Sequence, residues 1–283
     1  MSAKKYKDGG NVTGAVYTKD EEHWNFISDV MRASIVSNPL HIDEFLYVTQ
    51  MEAELIRWTL DLYNGGPDSC GIVTSGGTES IILAMLAYRE KAKAEKGITQ
   101  PNMVMSETAH CAFDKGGFYF GIEIRKVPMT KDYKCDVQAM MNAIDSNTIC
   151  LVASAPEYAF GNYEPVAEIA EIAQAAGIGC HSDCCLGSYV NPFIKELGYD
   201  LPYEFDFRIP GVTSISCDPH KYAYGPKGCS LLFFRDKQLR NYQFFSNTEW
   251  NGGIYATTCI AGSRSGAVIA GTWASILKHG REG

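Results

Sequence analysis

From residue 70 onward, short apolar runs alternate with stretches of helical periodicity, and this alternation constrains the fold more than any other feature. The runs at 70–74, 103–105, 149–154 and 178–183 read as buried strands. Between them, 77–96 places Ile81, Ile82, Met85, Leu86 and Tyr88 on one broad face and Arg89, Lys91, Lys93 and Glu95 towards solvent. Gly97 follows where a helix-ending glycine belongs. A further helix is predicted over 165–175, stopped by Gly177, and an apolar helix over 267–277, with later strands over 212–217 and 229–234. Strands and helices alternating at this spacing predict an α/β fold with a mostly parallel sheet. In such sheets ligands bind beyond the carboxyl ends of the strands, so the loops there are where chemistry is sought.

The chain has material for one large core. Its 283 residues are 46% hydrophobic and 20% charged, with no repeat, low-complexity tract or dividing linker. The net charge of -8 and the scattered basic residues argue against a nucleic-acid partner. The best uncharged apolar run, 265–277, contains Gly266 and Gly271 and falls short of the roughly 18 residues a bilayer span needs. Lys4, Lys5 and Lys7 are followed by Asp8-Gly9-Gly10, not by the apolar region of a signal peptide. Ten irregularly spaced cysteines in a chain with ample core read as reduced thiols facing the cytosol. The string Cys180-His181-Ser182-Asp183-Cys184-Cys185 has metal-ligating residue types, but neighbours on a strand point to opposite faces and no second ligand pair matches it. No metal is expected.

Three loops after predicted strands stand out. Thr74-Ser75-Gly76-Gly77-Thr78-Glu79-Ser80 joins a strand to a helix, and its glycines and free helix-start N–H groups suit a phosphate. The same string is also an ordinary capped turn. Asp183 ends an apolar strand, where a carboxylate is either solvated or paired with a cation, and period two puts Cys185 on its side. Ser216-Cys217-Asp218-Pro219-His220-Lys221-Tyr222 holds a lysine between two strands, where desolvation would lower its pKa and free its amine for attack on a carbonyl. Lys227 is the rival, but Gly225-Pro226 and Gly228 place it in the turn itself. Together the loops supply a phosphate cradle, a carboxylate and an amine, the set that pyridoxal 5'-phosphate (PLP) requires.

Several longer strings carry a resemblance. Cys70-Gly71-Ile72-Val73 leading into the first loop, Phe205-Asp206-Phe207-Arg208, and Gly211-Val212-Thr213-Ser214-Ile215-Ser216 before His220-Lys221-Tyr222 occur in one order. So do Gly14-Ala15-Val16-Tyr17, Asn38-Pro39-Leu40-His41, Asn64-Gly65-Gly66-Pro67-Asp68 and Ala261-Gly262-Ser263-Arg264. Over about 14–280 the chain resembles the PLP-dependent, group II decarboxylase-related family of fold-type I, in its branch that cleaves phosphorylated sphingoid bases.

That resemblance implies a fold-type I large domain over 61–283, preceded by a segment, 1–60, that contributes to the active site and to dimer contacts. It implies retro-aldol cleavage of a phosphorylated long-chain base to a long-chain aldehyde and phosphoethanolamine. Lys221 would carry PLP as a Schiff base, Asp183 would pair with the pyridinium nitrogen and His110 would stack on the ring. Gly77 and Thr78 would hold the phosphate, with His220 nearby. Tyr17, Asn38 and His41 would line the active site, donated across a homodimer interface. The general base stays open between Lys221 and a water held by Tyr17 or His41. His110 also reads as a helix-start residue and Asn38-Pro39 as a turn. Cys184 departs from the family, in which alanine commonly follows the aspartate. The resemblance further implies a location in the cytosol or on the cytosolic face of the endoplasmic reticulum. It also implies that most of a C-terminal subdomain lies beyond Gly283, so that this length alone would bind PLP weakly and associate. An amino-acid decarboxylase and a non-catalytic PLP-fold protein are the alternatives.

Overall fold

A computed structural model describes residues 14–18 and 20–283; Lys4, Lys5 and Lys7 lie outside the described residues. Among the described residues two helices, α1 (Glu21–Ala33) and α2 (Leu46–Leu62), come first. Then β1 (Cys70–Thr74), α3 (Gly77–Lys96), β2 (Asn102–Ser106), α4 (Ala112–Phe120), β3 (Glu123–Val127), α5 (Val137–Asn142), β4 (Thr148–Ser154), α6 (Val166–Ala175) and β5 (Gly179–Asp183) alternate, with α4, β3 and α5 added to the elements the sequence predicts. β6 (Ser214–Cys217), β7 (Ser230–Phe234), α7 (Lys237–Asn241), a small β8 (Phe245–Asn247) and β9 (Tyr255–Thr257) hairpin, and α8 (Gly266–His279) complete the order.

The main sheet has seven strands in the order β1-β7-β6-β5-β4-β2-β3. β7 alone runs against its neighbours β1 and β6; the rest share one direction. From Cys150 on, period two sorts β4, sending Leu151 and Ala153 into one core and Cys150 and Val152 into the other. The first core also holds α2, α6 and α8 side chains such as Leu55, Ile169 and Ile269; the second holds Met85 of α3, Phe113 of α4 and Leu239 of α7. Helices therefore cover both faces, as a mostly parallel sheet demands.

α3 starts and stops where its sequence says, with Gly97 left-handed at φ 68. Its burial is wider than the amphipathic reading: Ile81, Ile82, Leu83, Ala84 and Met85 are all buried, because α3 packs on α4, α7 and β7 at once. Leu86 is half-buried, and only the last turns offer charges to water. β3 was not among the predicted strands. Its Glu-Ile-Arg-Lys-Val sequence has little apolar content because it forms the sheet edge, where Arg125 meets Glu123 and Asp145. All ten cysteines are free, and only Cys111 is exposed. No helix among the described residues is long and apolar enough to cross a membrane.

Candidate active site

Topology brings the three loops together. β1, β5 and β6 run the same way, so Thr74, Asp183 and Cys217 end on one edge of the sheet, with Asp183 opposite Ser216 and Thr74 opposite Ser230. A cleft of about 690 Å³ opens there, lined by Gly77, Thr78, His110, Asp183, His220 and Lys221. An adjoining hollow of about 370 Å³ shares His110, Asp183 and Lys221 and adds Tyr17 and Tyr158.

Asp183 is 7% exposed, and its Oδ1 accepts the Cys185 N–H at 3.1 Å and the Ser216 hydroxyl at 2.9 Å. Both bonds fall on Oδ1, which leaves Oδ2 for a donor in the cleft. Burial alone would raise its pKa, but His181, the Cys185 N–H, Lys221 and Ser216 together hold the carboxyl below its ordinary value. His181 ties the strand ends from behind, its two ring nitrogens bonded to the hydroxyls of Ser214 at 2.7 Å and Ser216 at 3.1 Å. The cysteine-histidine string thus serves hydrogen bonding within the sheet.

Lys221 corrects one expectation. Burial does oppose its charge, but Cys185, the Asp218 carboxylate 3.0 Å away and Asp183 together more than compensate, and the ammonium is held above the ordinary lysine range. The anticipated lowering assumed desolvation without a partner. Asp218, which sequence reading passed over, is 2% exposed, and its Oδ1 has no hydrogen-bond partner. Its i,i+3 spacing from Lys221 in a tight turn was the available signal. His220 places Nδ1 2.6 Å from the Cys229 carbonyl and Nε2 3.6 Å from Asp218, and burial pushes its pKa down. Lys227 sits in the turn as expected, donating to the His220 carbonyl at 3.0 Å and lying 4.4 Å from the Tyr17 ring centre.

Gly77 begins α3, and a Cβ there would stand 2.7 Å from Asp218 Oδ2 and 3.0 Å from Cys185 Sγ. Side-chain-free backbone and the first N–H groups of a 20-residue helix make an anion cradle at this point. Glu79, also missed in the sequence, braces it: one oxygen accepts the Ser75 N–H at 2.6 Å and the other the Ile260 N–H at 3.0 Å. His110 satisfies both of its readings, since its Nδ1 accepts the Ala112 N–H at 3.0 Å at the start of α4 while the ring lines the cleft. That bond leaves Nε2 carrying the ring proton.

Tyr17 reaches the site within its own chain, edge-on to Tyr222 at 5.2 Å. Burial raises its pKa, against the pull of Lys221. Asn38 and His41 line neither hollow of this chain. Asn38 instead donates to Ser263 at 3.1 Å and accepts the Arg264 N–H at 3.1 Å, securing the loop that follows cleft residues Ile260 and Ala261. His41 is exposed. The residues fit PLP: a buried carboxylate with an open oxygen, a lysine beside it and a cradle that a side chain would fill.

A mixed sheet in this order, with lysine, aspartate and histidine at its carboxyl edge, defines the fold-type I class of PLP-dependent enzymes. Residues 15–283 match the family described as the pyridoxal-dependent decarboxylase conserved domain, and the chain belongs to that family. Among curated relatives, sphingosine-1-phosphate lyase 1 of Mus musculus is 47% identical over 274 residues, 97% of this chain and 48% of the relative. The solved sphingosine-1-phosphate lyase of Burkholderia pseudomallei is 41% identical with a TM-score of 0.93, covering 95% of this chain and 63% of that one. Glutamate decarboxylase of Lactobacillus brevis, 24% identical with a TM-score of 0.80 over 94% of this chain and 62% of its own, shares the fold. The chain spans about half the length of the curated relatives it matches.

Proposed function

We propose that this chain is the catalytic core of a PLP-dependent carbon–carbon lyase that cleaves phosphorylated sphingoid bases to a long-chain aldehyde and phosphoethanolamine. The observation that carries the reading is the convergence of Lys221, Asp183, His110 and Gly77 on one cleft, in a chain 47% identical to a sphingosine-1-phosphate lyase. The amino-acid decarboxylase reading rests on a structure only 24% identical, which speaks for the fold.

Bound PLP supplies an electron sink for the pair released when the bond between the amino-bearing and hydroxyl-bearing carbons breaks. The protein's part is placement and proton control. Asp183, through its open Oδ2, would hold a proton on the pyridine nitrogen, and the four groups that keep its carboxyl ionised would make it a steady acceptor. Lys221 would provide the amine that carries the cofactor, while Gly77, Thr78 and the start of α3 would take the phosphate, with His220 beside them, all of them lining the one cleft. His110, which lines the same cleft, would pack on the ring face. The base that takes the substrate hydroxyl proton would be Lys221 or a water held by Tyr17 or His41. We assign Asn38 and His41 to the cleft of a second copy, because neither lines this one, and so read the enzyme as a homodimer in which the stretch around Asn38 and His41 is shared while Tyr17 and α1 serve the cleft of their own chain. Nine buried free cysteines support a cytosolic setting, including the cytosolic face of the endoplasmic reticulum.

The test is product analysis on PLP-loaded protein given a phosphorylated sphingoid base, glutamate or an aromatic amino acid. Aldehyde and phosphoethanolamine in equal amounts support the lyase. Carbon dioxide from either amino acid, without aldehyde from the sphingoid base, establishes the decarboxylase instead.

A further inference from the structure

The loop that carries Lys221 is closed by its own backbone but anchored from behind by two helices. Within it, the Lys221 N–H donates to the Asp218 carbonyl at 3.0 Å, Tyr224 to Lys221 at 3.2 Å and Gly225 to Pro219 at 3.1 Å. Tyr224 stands at φ 55, the left-handed region that a bulky side chain enters only when its surroundings impose it. Those surroundings are His23 of α1 and Ser275 of α8. The Ser275 hydroxyl donates to the Ala223 carbonyl at 2.5 Å, and His23 Nε2 lies 3.1 Å from the Tyr224 carbonyl and 3.2 Å from Ser275 Oγ.

The bonding fixes the tautomer. A carbonyl only accepts, and the single proton of Ser275 goes to Ala223, so Nε2 of His23 carries hydrogen and is shared between Tyr224 and Ser275. His23 is 1% exposed and its Nδ1 has no partner. Burial pushes the ring below its ordinary pKa, against the Tyr224 carbonyl, which favours the charged form. A buried imidazole with one nitrogen orphaned is a costly way to fill space, and it is kept against the only loop that holds the cofactor lysine.

We infer that His23 is a positioning residue for Lys221: its Nε2–H, shared with Ser275 and the Tyr224 carbonyl, locks the return of the loop and so the direction of the Lys221 amine. The inference rests on the reading of Lys221 as the cofactor-carrying residue.

The experiment compares His23→Phe, which keeps a ring and removes the donor, with His23→Gln, which offers an amide N–H, and with Ser275→Ala. PLP affinity and the visible band are measured on loaded protein. The pH profile of Lys221 labelling by an amine reagent, located by peptide mapping, is measured without PLP, and thermal midpoints are recorded for all. The expected result is about tenfold weaker PLP binding and a displaced labelling profile in His23→Phe, the size of one lost buried hydrogen bond. Ser275→Ala should move the same way, and His23→Gln should recover most of the loss at a similar midpoint. Unchanged affinity and profile in His23→Phe overturn the inference, as do losses in the Phe and Gln variants that simply track their midpoints. Failure of the underlying reading shows separately, as a visible band that survives Lys221→Ala.

Discussion

Nζ of Lys221 stands 3.0 Å from Oδ2 of Asp218, within one turn of a single loop, and this pairing joins Cys185 and Asp183 in raising the lysine's pKa against its burial. The same carboxylate lies against Gly77, whose missing Cβ would meet it at 2.7 Å. Asp218 therefore touches both the amine and the start of α3, where it can influence how readily the amine loses its proton.

Replacing Asp218 with Asn removes the nearest negative charge and leaves desolvation to act on Lys221. In protein free of PLP, labelling of Lys221 at fixed pH should rise by roughly tenfold, the change that one pKa unit gives. Peptide mapping of the labelled lysine against pH checks this. A profile that coincides with wild type would mean that Asp218 does not control the amine.

Asp183→Asn keeps the shape and loses the charge that the proposed function sets opposite the pyridine nitrogen. Some PLP should remain bound while turnover falls by about a hundredfold or more, in line with loss of a preorganised electrostatic group. Because the folded-state pKa of Asp183 is lowered, its stabilising contribution is present above the ordinary carboxylate range and disappears as pH falls below it. The Asn variant should therefore lose part of the wild-type acid sensitivity in denaturant titrations. Near-normal turnover would return Asp183 to the status of a loop residue.

Gly77→Ala sets two effects against each other. Alanine favours a helix over glycine by about 1 kcal/mol, but overpacking costs roughly 1–3 kcal/mol, and a contact at 2.7 Å with a buried carboxylate belongs at the upper end. The variant should melt lower and bind PLP at least about tenfold more weakly. A gain in stability with unchanged affinity would show that nothing needs the bare backbone there.

Glu164 is 1% exposed, with Oε2 accepting the Ser154 N–H at 2.6 Å and Oε1 the Thr108 hydroxyl at 3.4 Å. Burial pushes its carboxyl from an ordinary 4.5 up to about 7. A raised folded-state value means that its favourable contribution is fully present below 4.5 and lost as pH rises through about 7. Glu164→Gln should flatten this dependence and be the more stable protein at pH 8, by up to about 3 kcal/mol. Parallel wild-type and variant curves between pH 5 and 8 would contradict the assignment.

The legible parts of the fold were those with an unambiguous local signal. β1 and α3 have apolar runs or strong helix formers bounded by glycine, and both match their predicted limits. β3 was illegible because an edge strand need not be apolar. Within the site, Asp183 and Lys221 stood out as charges at the ends of buried strands, and the shared strand direction explains their meeting. Asp218, Glu79 and Glu164 were missed since each acts through a partner that only folding supplies: an amine in the same turn, or an N–H from residue 260 or 154. His23 gave no signal at all. Its role depends on Tyr224, 201 positions away.

The central claim is that Lys221, and not Lys227, carries the cofactor, and one measurement reaches it most directly. PLP-loaded protein is reduced with borohydride, digested, and the pyridoxyl-bearing peptide sequenced. The account predicts the modification on Lys221, with the visible band abolished in Lys221→Ala and kept in Lys227→Ala. A pyridoxyl group on Lys227, or a borohydride-sensitive band that survives Lys221→Ala, would contradict it.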